Sequence, residues 1–247
     1  MSAAEILEVL VRTNLALGAG VLLVLALRRP VRALGGARAA YALWLAAPLA
    51  ALAVLVPPRT VTVMVSESAP AAVEAPAPAP APRPGASAAR AAVPVSRIDP
   101  AEALVAAWAL VAVLALGVQA VRQHRFVRSL GRLRDEDGVF HAEHVQAGPA
   151  VIGALLPRLV LPADFASRFT DEEQALVLAH ERNHLAVGDA QINAMVAVLQ
   201  GLCWFNPLVH LAARRLRVDQ EIACDAAVLA RFPSAARAYG EAMLKTC

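Results

Sequence analysis

The stretch Thr170-Asp-Glu-Glu-Gln-Ala-Leu-Val-Leu-Ala-His-Glu-Arg-Asn-His184 decides how the chain is read. It opens with a helix-start signal. Thr170 can cap the first turn, and Glu173, three residues on, can reach back to the cap backbone. A helix is therefore predicted from about Asp171. On it His180 and His184 stand four apart and project from one face, as two imidazoles must to share a metal ion. Glu181 follows the first histidine and is placed to act as general base toward a water without being a ligand. This is the H-E-x-x-H arrangement of zinc hydrolases, so Zn2+ is the expected cofactor.

A catalytic zinc needs a third protein ligand and an open position. The longer metzincin pattern would require a glycine at 187 and a histidine at 190, where the chain has Val187 and Ala190. That class is excluded. The segment Glu221-Ile-Ala-Cys-Asp225 falls on a second predicted helix, after Asn206-Pro207. Glu221 and Asp225 are again four apart. On spacing alone two readings stand. Glu221 is the third ligand and Asp225 accepts a histidine N–H that fixes its tautomer, or the pair is an exposed acidic face balancing Arg214, Arg215 and Arg217. His210 competes as third ligand, and Asp189 is a candidate brace beside His184. His124, His141 and His144 lack partner spacing and read as surface residues, and Cys224 reads as core packing.

Upstream of the capped helix, β-like runs are predicted at 139–145, 150–153 and 158–161. Earlier still, three apolar runs cover 15–27 (extending back to Ile6), 39–56 and 103–121. Crossing the hydrocarbon core takes about 20 apolar residues. The first run needs its earlier turns, whose Glu8 and Arg12 can pair at helical spacing. A signal peptide carries basic residues before its apolar stretch; here Glu5 and Glu8 precede it and Arg28 and Arg29 follow, so a retained span is expected. Arg28, Arg29, Arg32 and Arg38 fill the short first connection, and Arg122, Arg125, Arg128, Arg132 and Arg134 follow the third run. The positive-inside rule puts both in the cytoplasm. The connection over 57–102 carries only Arg59, Arg83, Arg90 and Arg97, and its centre at 75–84 alternates Ala and Pro. It is expected to be an external, extended linker with no core of its own.

Composition agrees with a mixed protein. With 58% hydrophobic residues and a mean hydropathy of +0.54, the chain is too apolar for one soluble domain and too polar for spans alone. The net charge of +3 comes almost wholly from arginine, Lys245 being the only lysine. Because the arginines cluster beside apolar runs, they read as topology signals, and direct nucleic-acid binding is not expected. The cysteines, Cys203, Cys224 and Cys247, form no C-x-x-C pair, which excludes a cysteine zinc knuckle.

Taken together, these pieces resemble the membrane metallopeptidases of the BlaR/MecR antirepressor type. The resemblance covers about 148–244. It is carried by Gly148-Pro149-Ala-Val-Ile-Gly153, Pro157-Arg-Leu-Val-Leu-Pro162, His180 to His184 with Asp189, Phe205-Asn206-Pro207 and Glu221 to Asp225. It implies that Glu181 is the catalytic base and that Glu221 is the third zinc ligand. Well-known members of that type continue into a fourth span and an external sensor with a Ser-x-x-Lys acylation motif. Three residues before Lys245 stands Ala242, so that motif is absent from this stretch, and the chain reads as a sensorless or shortened form. His210 also stands where such proteins usually carry an aromatic residue.

The expected architecture is therefore mainly α: three transmembrane helices followed by a cytoplasmic α+β, gluzincin-like metallopeptidase domain. The divisions are 1–57 for two spans, 58–102 for the external loop, 103–121 for the third span and 122–247 for the peptidase domain. The expected partners are the lipid bilayer of the inner (cytoplasmic) membrane and a cytoplasmic protein substrate, a DNA-binding repressor or the chain itself. Two further functions compete: a housekeeping membrane protease of the heat-shock or CAAX-processing type, and a non-catalytic signalling scaffold. An intramembrane protease is disfavoured, because Glu172, Glu173, Arg182, Asn183 and Asp189 surround the motif with polarity unsuited to a lipid-facing span.

Overall fold

The structure, a computed structural model, describes residues 1–56, 99–145 and 148–246. The chain begins with a long helix, α1 (Ala3–Ala42), a short 3-10 turn and α2 (Ala46–Leu55). Ser2 and Glu5 close a capping box at the start of α1. At Gly36 the backbone leaves helical geometry with φ +80°, a conformation that costs glycine little. The chain reverses there. Gly20 and Ala47 would stand about 40 Å apart on one unbroken helix, yet a Cβ added to Gly20 would lie 2.9 Å from the Ala47 Cα. Leu17 shares a core with Ala51, and Val24 shares one with Trp44. These pairings run antiparallel, so the segment is a helical hairpin with small residues at its closest approach.

The expected short loop between the first two runs is thus mostly helix. Two of its arginines are also not free topology signals. Arg28 and Arg32 both bind Asp219, which is fully buried as a side chain. Trp44 Nε1 donates to the same carboxylate at 2.8 Å.

Next in the described chain comes α3 (Pro100–Ser129), capped by Asp99, whose Oδ1 accepts from Ala101 N at 2.9 Å. It begins before the predicted third run and continues past it through Arg122, Arg125 and Arg128. By length and composition, Ala3–Leu55 and Pro100–Ser129 each hold a stretch apolar enough to cross a membrane. The Ala-Pro segment lies outside the described residues.

A four-stranded sheet follows: β1 (Leu133–Glu136), β2 (Val139–Ala142), β3 (Ala150–Ile152) and β4 (Arg158–Leu161), in the order β1-β2-β4-β3. β2 and β4 are parallel and the other pairings antiparallel. The last three strands match the predicted runs; the largely exposed β1 had no apolar signature to predict it. Buried Leu159 and Leu161 from the sheet pack with Phe165, Phe169, Val177 and Ala242. Those residues belong to, or border, α4 (Phe165–Arg168), α5 (Asp171–Val187) and α8 (Ala236–Thr246).

Between α5 and α8 lie α6 (Asp189–Leu202) and α7 (Pro207–Arg231). They do not stay with the sheet. Trp108 Nε1 of α3 donates to Leu202 O at 2.9 Å, and Gln119 Nε2 donates to Ala197 O at 2.9 Å. Asn206, at the tip between α6 and α7, donates to Asn14 Oδ1 of α1 at 3.2 Å. One apolar core joins Leu17, Val21, Ala47 and Ala51 to Cys203 and Val209. Helices of membrane-crossing length thus share side-chain packing with α6 and α7 across the division expected near residue 121.

Candidate metal centre

The capping box at Thr170 forms as the residues require. Glu173 N donates to Thr170 Oγ1 at 3.3 Å, and Thr170 N donates to Glu173 Oε2 at 2.9 Å. Lys245, on α8, donates to both oxygens of Glu173 at 2.6 Å and holds its carboxyl below the usual carboxylate range. This anchors the start of α5. Three turns on, His180 and His184 project together and their Nε2 atoms lie 3.0 Å apart.

Glu221 meets them from α7. Its Oε2 lies 3.5 Å from His180 Nε2 and 3.7 Å from His184 Nε2. These three atoms form a compact triangle. Tetrahedral zinc with bonds of about 2.0–2.1 Å needs ligand atoms about 3.3 Å apart, so the donor set fits that ion. Glu181 is buried at 8% exposure and lines the same cleft, of about 480 Å3. Burial raises the pKa of its carboxyl, which suits a group that must accept and release a proton.

Each of the two histidines has a partner on its Nδ1 nitrogen. His184 Nδ1 donates to Asp189 Oδ2 at 2.6 Å. Asp189, the expected brace, is 5% exposed. For His180 the expectation needs correction. Asp225 Oδ1 stands 3.6 Å from His180 Nδ1, outside hydrogen-bond range. The Tyr239 hydroxyl intervenes, 2.6 Å from His180 Nδ1 and donating to Asp225 Oδ1 at 2.6 Å. Tyr239 comes from α8 and had no motif to announce it. Tyr41 and Gln220 complete the surroundings of Asp189: Tyr41 donates to Asp189 Oδ1, and Gln220 Nε2 donates to Tyr41 at 3.0 Å and to Asp189 Oδ1 at 3.3 Å.

Cys224, expected to be core packing, is buried but lies beside the histidines, with Sγ 3.4 Å from His180 Nδ1. His180, His184 and Cys224 form a second conceivable donor group. That grouping is poorer, because Tyr239 occupies His180 Nδ1 and Glu221 already faces both Nε2 atoms. His210 is not brought to the site. Its ring nitrogens contact Gln200 Nε2 at 3.2 Å and Trp204 O at 3.0 Å, and it lies about 16 Å from Glu221 along α7. His141 sits beside Glu136 at 3.7 Å, away from the centre.

The charged groups of the site shift one another strongly. Burial by itself would lower both histidine pKa values. Cys224 and Glu221 instead hold His180 up at about 9, and Asp189 leads the groups that raise His184. The two histidines hold Glu221 down at about 2. Burial alone would raise the Cys224 thiol, yet the histidines keep it below its usual value.

Apolar helices of membrane-crossing length that pack on α6 and α7, the neighbours of the helix bearing H-E-x-x-H, point to a membrane-associated metallopeptidase class. The chain belongs to the BlaR1 peptidase M56 family, whose model matches residues 8–247. It is similar to the regulatory protein BlaR1 of Bacillus licheniformis, 37% identical over 98 residues, which is 39% of this chain and 16% of that protein. It is also similar to the methicillin resistance mecR1 protein of Staphylococcus aureus strain Mu50, 30% identical over 98 residues, 39% of this chain and 17% of that protein. The chain thus covers about one sixth of the length of these curated relatives.

Proposed function

We propose that the chain is a membrane-bound zinc metallopeptidase that cleaves a cytoplasmic protein, a transcriptional repressor or itself, in a signalling response. The observation that carries the reading is the triangle of His180 Nε2, His184 Nε2 and Glu221 Oε2 with Glu181 beside it. His180, His184 and Glu221 would hold the zinc ion. When bound, zinc lowers the pKa of water to about 7 and polarises a peptide carbonyl. Glu181 accepts the proton from the attacking water at its carboxylate and returns it to the leaving amine. Asp189, and Tyr239 with Asp225, hold the histidine rings with each Nε2 turned toward Glu221.

The edge strand β3 supports an extended substrate. It is last in the sheet, and Pro149, Ala150 and Val151 line the metal cleft. A substrate strand added there would gain main-chain hydrogen bonds with little sequence preference, which suits a flexible hinge in a regulator. The names of the similar proteins, a regulatory protein and a resistance protein, favour signalling over housekeeping degradation.

The apolar hairpin and α3 support three crossings, with the N-terminus outside. Arg28, Arg32 and Asp219 gather at the reversing end of the hairpin, two positions along α7 from Glu221. With Arg29 and Arg38 on either side of that reversal, and Arg122, Arg125 and Arg128 ending α3, this supports a catalytic site at the cytoplasmic end. Expression of the chain with a repressor encoded beside it, against the Glu181→Gln variant, tests the function. Cleavage that depends on Glu181 supports it. An intact repressor together with degradation of an unrelated unfolded membrane protein replaces it with the housekeeping reading.

A further inference from the structure

We propose that Tyr41, on the membrane hairpin, is a positioning residue for the metal centre, acting through Asp189 on His184. The inference rests on the reading of His180, His184 and Glu221 as zinc ligands. Tyr41 lies on the returning arm, just past the reversal at Gly36, and is one of only two tyrosines in the chain. The Asp189 carboxylate is divided between two elements: Oδ2 accepts from His184 Nδ1 at 2.6 Å, and Oδ1 accepts from the Tyr41 hydroxyl. Gln220, adjacent to Glu221 and 3% exposed, braces the same two groups.

The hydrogen bonds, rather than packing, hold this carboxylate. Behind it lies an apolar cavity of about 400 Å3, bounded by Leu17, Val21, Ile192 and Met195, and Asp189 and Gln220 line both that cavity and the metal cleft. A carboxylate between two open spaces can rotate unless both oxygens are engaged. With Oδ1 held by Tyr41, Oδ2 stays opposite His184 Nδ1. The ring then keeps its proton on Nδ1 and turns the Nε2 lone pair toward His180 and Glu221. A side chain from the membrane hairpin thereby sets the aim of a ligand on α5, so displacement of the returning arm reaches the metal site directly.

Tyr41→Phe removes one oxygen and keeps the ring. Trp44→Phe is the control: it lies on the same side of the reversal and loses the bond to Asp219, but makes no hydrogen bond to Asp189. The full chain in detergent is compared for zinc affinity, by chelator competition, and for the visible absorption of its Co2+ form. Tyr41→Phe is expected to weaken zinc about 10–100-fold and to alter the Co2+ bands. Trp44→Phe is expected to lower thermal stability and leave both metal readouts unchanged. In an Asp189→Ala background, Tyr41→Phe should add no further loss, because the two act in series. Wild-type affinity and spectrum in Tyr41→Phe, an equal loss in Trp44→Phe, or additive losses with Asp189→Ala each overturn the role of Tyr41. A wild-type chain that takes up neither metal overturns the zinc reading, and this inference with it.

Discussion

Arg28 and Asp219, 191 positions apart in sequence, form a buried ion pair at 2.9 Å between α1 and α7. Arg32 and Trp44 turn toward the same carboxylate. The pair pins α7, two residues before Glu221, to the membrane hairpin. Asp219→Ala would leave two arginines facing a vacated site, one of them buried. Breaking a buried pair from one side costs about 3–5 kcal/mol. A marked fall in the unfolding midpoint in detergent is expected. An unchanged midpoint would separate the hairpin from the stability of the site.

Glu181→Gln should retain zinc and lose proteolysis by about 10²–10⁴-fold, since general acid–base catalysis contributes about that much. His180→Ala and Glu221→Ala should lower zinc occupancy instead. Metal analysis of the purified variants checks this. Normal zinc in Glu221→Ala combined with loss in Cys224→Ser would move the third ligand to Cys224.

Tyr239 stands in series between His180 and Asp225. Tyr239→Phe and Asp225→Ala are each expected to cost about 10–100-fold in zinc affinity or activity. The double variant should match the worse single one. Independent, additive losses would show that Asp225 does not act through Tyr239.

Zinc affinity should climb with pH. In the metal-free site His180 is held up at about 9 and His184 is also raised, so zinc must displace their protons at neutral pH. Between about pH 6 and pH 8 the uptake of one ion should release about two protons, measurable in weakly buffered solution. The sign for the metal-free fold follows by linkage. The raised histidines stabilise it fully below their unfolded value of 6.5, and that contribution is lost as pH rises through about 9 for His180. Glu221, held down at about 2, stabilises above its unfolded value of 4.5 and loses its contribution as pH falls toward about 2. Affinity independent of pH would contradict the protonated histidines.

Topology reporters inserted after Gly85 and after Asp137 should report opposite sides of the membrane, the first outside and the second inside. Equal accessibility would overturn the three-crossing arrangement.

Much of the centre was legible because its signals are local. A capping box and H-E-x-x-H lie within one helix, so the spacing of Thr170, Glu173, His180, Glu181 and His184 alone determined a capped helix with two histidines on one face. The apolar runs were equally local, as was the start of α7 at Asn206-Pro207, where Asn206 Oδ1 accepts from Leu208 N at 3.0 Å. What only the tertiary structure decided are contacts between residues remote in sequence. A lone tyrosine or aspartate carries no periodicity, so nothing in the chain marked Tyr239 as the group between His180 and Asp225. Nothing there assigned Arg28 and Arg32 to Asp219 either, and charge counting read them as topology signals. Nor could spacing say whether Glu221 or His210, which share α7, would stand beside His180 and His184. The choice was made by which end of α7 packs beside α5, a consequence of the shared core of Leu17, Val21, Ala47, Ala51, Cys203 and Val209 that draws the beginning of α7 away toward the membrane hairpin.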